Sequence, residues 1–154
     1  MDLKKKAVDV AAKQDTMEQS LFSNKGFKSG GFLNLTPRDA YNEAKSGNAT
    51  IVDVRESTLT GYKQFDVPKV IYLPLSELLN RIEELPKNVP LIIADSAGLR
   101  SHEAMVILLE KGFNLVANLA GGIVEWERDG LPLVVNNKER LDGSCMCQLR
   151  PRMK

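Results

Sequence analysis

Leu91-Ile92-Ile93-Ala94 is apolar at every position, so both faces of the strand it forms must be covered. A strand in the middle of a mostly parallel sheet, with helices on either side, meets that demand. Ala104 to Leu109 are apolar almost all round and predict a helix packed between the sheet and a further element, stopped by Gly112. Asp95-Ser96-Ala97-Gly98-Leu99-Arg100-Ser101 joins the two. A loop that enters a helix this way aims backbone N–H groups at one point, at the positive end of the helix dipole. Ser96 to Ser101 therefore form a candidate anion-binding loop, with the Arg100 guanidinium as a further donor. The residue that enters this cradle is Asp95, which is itself an anion.

The rest of the chain alternates strand and helix signals. Thr36-Pro37-Arg38-Asp39 combines an N-cap, a proline at the first helical position and an acid three residues after the cap. Ala40, Tyr41 and Ala44 supply that helix's inner face, and Gly47 ends it. Strands are predicted at Thr50–Val54, Val70–Leu73 and Leu115–Leu119. Leu78, Leu79, Ile82 and Leu85 repeat at helical spacing until Pro86. Gly121 and Gly122 open a short helix carrying Trp126, closed by Gly130. The alternation predicts an α/β domain with right-handed crossovers. In such sheets the ligand site lies beyond the carboxyl ends of the strands, where Asp53, Arg55 and Asp95 fall. Asp53 and Arg55 are expected to support the loop's surroundings by ion pairing.

Residues 2 to 22 read as a helix whose Leu3, Ala7, Val10, Gln14, Met17 and Leu21 form a weak seam. Docking on its own domain is favoured, with a homodimer through this helix as the other expectation. Gly26, Gly30 and Gly31, with Ser23 and Ser29, predict a linker. Three segments follow: a helix and linker at 1–33, an α/β domain at 34–136, and a basic tail at 137–154 carrying Cys145 and Cys147.

Composition excludes some partners. Lys plus Arg total 21 against 20 Asp plus Glu, so a net charge of +1 gives no bulk reason to expect nucleic acid. No run of the sequence is long and apolar enough to span a membrane, and the cytoplasm is the expected compartment. Two cysteines separated by one residue are not a disulfide framework. No metal-ligand cluster and no cofactor motif appears.

Several pieces together carry a resemblance. Asp53-Val54-Arg55-Glu56, Val67-Pro68 leading to Leu73-Pro74-Leu75-Ser76-Glu77-Leu78, Gly98-Leu99-Arg100-Ser101, Gly112-Phe113, Asn118-Leu119-Ala120-Gly121-Gly122-Ile123 with Trp126, and Gly130-Leu131-Pro132 resemble a single rhodanese domain over about Thr36 to Val134. The resemblance implies a five-stranded, mostly parallel sheet flanked by helices, here with an N-terminal helical extension, and sulfurtransferase chemistry in active members. A cysteine thiolate there takes the outer sulfur of a donor such as thiosulfate, becomes a persulfide and passes the sulfur on. The nucleophile opens a Cys-x-x-Gly-x-Arg pattern; Gly98 and Arg100 match it, and the nucleophile's position is Asp95.

A carboxylate holds no persulfide, so Asp95 is expected to point into its own cradle, accept its N–H bonds and pair with Arg100. Acyl-phosphate chemistry is open to aspartates in general, but no acid cluster for a metal accompanies Asp95 in the sequence. The pattern Gly-His-Ile-Pro-Gly-Ala is also altered, to Phe65-Asp66-Val67-Pro68-Lys69-Val70, and the stretch between Glu56 and Tyr62 is longer by two residues. The expectation is a rhodanese-homology domain without thiosulfate sulfurtransferase activity, serving as a binding or regulatory module for a protein partner or a small sulfur-containing anion. The alternative is a sulfurtransferase or redox protein working through Cys145 or Cys147. Their tail can extend roughly 40 Å, enough to reach the loop. His102, in the loop's helix, is expected to face solvent, and Trp126 to cover the sheet.

Overall fold

The computed structural model describes residue 22, residues 25–142 and residues 150–151. The N-terminal helix expected at 2–22, apart from Phe22, and both cysteines lie outside the described residues.

The first element corrects the sequence reading. β1 (Phe27–Ser29) and β2 (Phe32–Leu35) form an antiparallel hairpin in which Phe27 opposes Asn34 and Ser29 opposes Phe32. Gly30 and Gly31, read as linker residues, make its turn at φ 62° and 82°. Two consecutive positive φ angles are what a two-residue hairpin needs to match the strand twist. The sheet therefore begins before residue 34.

α1 (Pro37–Lys45) starts where the cap predicts, with the Asp39 N–H donating to Thr36 Oγ1 at 3.2 Å. β3 (Thr50–Asp53) follows, and a helical turn, α2 (Ser57–Thr60), precedes β4 (Lys63–Phe65) and β5 (Val70–Tyr72). The helix expected from Leu78 to Leu85 is broken. A single α-turn, α3 (Leu78–Arg81), lies between 3₁₀ turns at Leu75–Glu77 and Ile82–Glu84, and Arg81 leaves the helical region at φ −120°. With Pro74 before it and Pro86 after it the segment is too short to propagate a helix unaided.

Next come β6 (Leu91–Ala94), α4 (Arg100–Glu110), β7 (Val116–Leu119), α5 (Gly122–Arg128) and β8 (Leu133–Val135), followed by β9 (Leu141–Asp142) and β10 (Arg150–Pro151). The main sheet runs β1-β2-β7-β6-β3-β5. β2, β7, β6, β3 and β5 are the five parallel strands, and antiparallel β1 adds a sixth at the edge. β4 pairs with β8, and β9 with β10, in two small antiparallel sheets.

β6 divides the core as its sequence requires. Ile92 and Ala94 point into a cluster with Leu35, Ala40, Ile123 and Trp126; Leu91 and Ile93 point into the opposite one with Leu78, Met105 and Leu108. Trp126 is fully buried. Its ring meets Phe65 edge-on at 5.0 Å and Tyr41 at 5.8 Å, and its indole N–H donates to the Pro132 carbonyl at 3.0 Å. It thus ties α1, the β4–β8 pair and the sheet together. Trp126→Ala should lower unfolding free energy by about 3–5 kcal/mol, read by chemical denaturation, with Trp126→Phe costing less.

Candidate functional site

β3, β6 and β7 end on the same side of the sheet and deliver Arg55, Asp95 and the Gly121-Gly122 pair to one region. Asp95 is only 3 % exposed. Its Oδ1 accepts the Gly98 N–H, and its Oδ2 accepts the N–H groups of Arg100 at 2.7 Å and Ser101 at 3.3 Å. Leu99, at the N-cap of α4, supplies no side-chain cap. The carboxylate thus caps that helix from upstream, satisfying donors that a helix start leaves open and sitting at the positive end of its dipole.

The main chain of the loop is held from the other side. The Ile123 N–H donates to the Asp95 carbonyl at 3.0 Å and the Val124 N–H to the Ser96 carbonyl at 3.1 Å. First-turn amides of α5 thus fix the loop's carbonyls while those of α4 fix its carboxylate. Gly122 makes the approach feasible. At φ 61°, a Cβ there would lie 2.5 Å from the carbonyl oxygens of both Asp95 and Ser96.

Other loop residues divide by exposure. Ser101 is fully buried, and its Oγ has no hydrogen-bond partner among the described residues. Ala97 and Arg100 are exposed, and Leu99 is 80 % exposed at the loop tip. The expected side-chain pairing of Arg100 with Asp95 is not formed; Arg100 reaches the carboxylate through its backbone N–H. A side chain in the first turn projects away from the helix axis, whereas the N–H points back out of the helix start. His102 is half-buried, its ring 5.7 Å from that of Phe32, and does not simply face solvent.

Asp53 and Arg55 form a buried ion pair beside the loop. Arg55 Nη2 donates to Asp53 Oδ2 at 2.7 Å and Nε to Oδ1 at 3.0 Å, while Nη2 also donates to the Lys63 carbonyl at 2.7 Å. The guanidinium lies 5.8 Å from the Phe65 ring centroid. It links the end of β3 to β4. Tyr72 is the register partner of Asp53; burial pushes its phenol pKa up, the Asp53 charge adds to that, and Arg55 opposes it.

The close approach at Gly122 and a buried amide pair escaped the sequence reading. Asn118 Nδ2 donates to Asn34 Oδ1 at 2.7 Å, and Asn34 Nδ2 to the Phe32 carbonyl at 2.9 Å. A lone Asn inside each of two apolar strands, Phe32–Leu35 and Val116–Leu119, was the available signal. Among the described residues no group of His, Cys, Asp or Glu could hold a metal ion, and no helix is long and apolar enough to cross a membrane.

The comparisons with known proteins agree with this architecture. A model of the rhodanese-like domain matches residues 36–129. A sulfurtransferase of Allochromatium vinosum is 35% identical over 91 residues, 59% of this chain and 83% of that protein. The thiosulfate sulfurtransferase GlpE of Actinobacillus pleuropneumoniae is 28% identical over 66% of this chain and 93% of its own. The crystal structure of a rhodanese-related protein from Thermoplasma volcanium superposes with a TM-score of 0.61 at 26% identity, covering 67% of this chain and 98% of that one. The chain belongs to the rhodanese-like domain family.

Two substitutions check the supports. Gly122→Ala should destabilise by about 1–3 kcal/mol from backbone strain alone, before the clash with the loop carbonyls is counted. Asp53→Ala leaves the Arg55 guanidinium buried without its carboxylate and should cost about 3–5 kcal/mol in a denaturant titration.

Proposed function

We propose that this rhodanese-like domain has no thiosulfate sulfurtransferase activity and acts as a binding or regulatory module for a protein partner. The observation behind this reading is the Asp95 carboxylate, which receives three backbone N–H bonds from the loop. A carboxylate oxygen cannot carry a transferable sulfur. The same donors would otherwise stabilise a thiolate, a persulfide or a leaving anion. An approaching thiosulfate meets a negative charge where the reaction needs donors. The exposed face of the loop, with Leu99 and Arg100 outward, is where such a partner would touch it.

The direct test is thiocyanate formation from thiosulfate and cyanide by reduced protein. The expected rate equals the protein-free control. Robust turnover by the wild type that disappears in Asp95→Ala would overturn the proposal.

A second measurement examines the cradle itself. Asp95→Ala should cost about 1–3 kcal/mol in stability, because the capped donors lose their acceptor. It should also make the melting temperature rise with sulfite, by an amount equivalent to about 2.7 kcal/mol at a hundredfold excess over Kd. The wild type, with its cradle filled by Asp95, should show no such rise.

A further inference from the structure

The opposite end of the domain holds a cavity that the loop chemistry does not use. It lies where β6 begins and α4 ends and has a volume of about 490 Å³. At 1.5 Å per residue, the length of α4 puts about 16 Å between it and the Asp95 cradle. Its apolar wall comes from Leu79, Ile82, Leu85 and Phe113, and its charged rim from Lys87 and Lys111. Leu85 and Phe113 are buried, whereas Leu79 is 60 % exposed at its edge.

The rim carries two lysines that no described carboxylate neutralises, unlike several other basic residues of this surface. Arg81, immediately beside the pocket, is paired to Glu77 and Glu84; Lys63 is paired to Glu127, and Arg128 to Glu125. Neither Lys87 nor Lys111 forms an ion pair with a described carboxylate, although Glu83 also lines the cavity. Lys87 Nζ lies 5.3 Å from the Phe113 ring centroid, which holds the ammonium group against the apolar wall. It also approaches Gly112, where a Cβ would lie 3.9 Å from Nζ, so it stands next to the turn that carries Lys111. Gly112, at φ 88°, is what swings Phe113 back under that turn.

We propose that this pocket binds a small amphipathic carboxylate, its apolar tail against Leu79, Ile82, Leu85 and Phe113 and its head group between Lys87 and Lys111. The volume falls inside the roughly 300–1,000 Å³ of small-molecule sites. Two ammonium groups without described carboxylate partners beside an apolar wall favour an anion with a hydrophobic body. A compact, fully hydrated anion would leave that wall in water, and a hydrophobic cation would be repelled.

The test is a titration of the isotopically labelled full chain with decanoate, decanol and decyltrimethylammonium, each below its micellar or solubility limit, following the amide resonances of Gly112 and Phe113. Decanoate is expected to shift both saturably and to bind more tightly than decanol, with decyltrimethylammonium weakest. Lys87→Gln combined with Lys111→Gln, two exposed positions whose replacement leaves the fold intact, should weaken decanoate about tenfold while leaving decanol unchanged. Leu79→Asp should weaken both. The proposal is overturned if decanoate gives no saturable shift at Gly112 and Phe113. It is equally overturned if the cationic and anionic probes bind alike, or if the double lysine variant binds decanoate as the wild type does.

Discussion

One backbone N–H of the loop and two from the first turn of α4 converge on the carboxylate of Asp95, and much of the site's geometry depends on that convergence. A carboxylate this deeply buried would be costly without partners, since desolvation penalises the charged form. The loop supplies hydrogen bonds to both oxygens, and the helix dipole adds a favourable potential. In return the carboxylate settles the open end of a helix that has no capping side chain of its own. Loop and helix start are thus mutually dependent.

That arrangement stands on a scaffold which restricts it from several sides. α5 fixes the loop's carbonyls through Ile123 and Val124, and only a residue without a side chain at position 122 lets the two segments come so close. The Asp53–Arg55 pair secures the adjoining strand end to β4, and Trp126 locks the β4–β8 pair onto the core. Relatives named as sulfurtransferases are similar over most of their own length, so this scaffold is shared with them.

Legibility differed from place to place for physical reasons. The cap at Thr36-Pro37, the fully apolar β6 and the glycines closing helices act locally, so a few neighbouring residues were enough to read them. Gly30 and Gly31 have the composition of a linker and the conformation of a hairpin turn; only pairing of Phe27–Ser29 with Phe32–Leu35 distinguishes the two. The run from Leu78 to Leu85 carries helical spacing, yet prolines at both ends confine it to turns. Sequence proximity suggests Arg100 as a side-chain partner of Asp95, yet it says nothing about which way a first-turn side chain projects.

The sequence by itself determined the layered α/β class, the strand-loop-helix that forms the cradle, and the carboxylate that enters it. Those follow from hydrophobic pattern and residue chemistry, which need no knowledge of distant contacts. Tertiary structure alone decided that both carboxylate oxygens are engaged, that α5 clamps the loop through Gly122, that a sixth strand extends the sheet, and that Lys87 and Lys111 line one cavity. Each of these joins segments far apart in the chain, or depends on the direction of a single bond, and so exists only once the elements have packed.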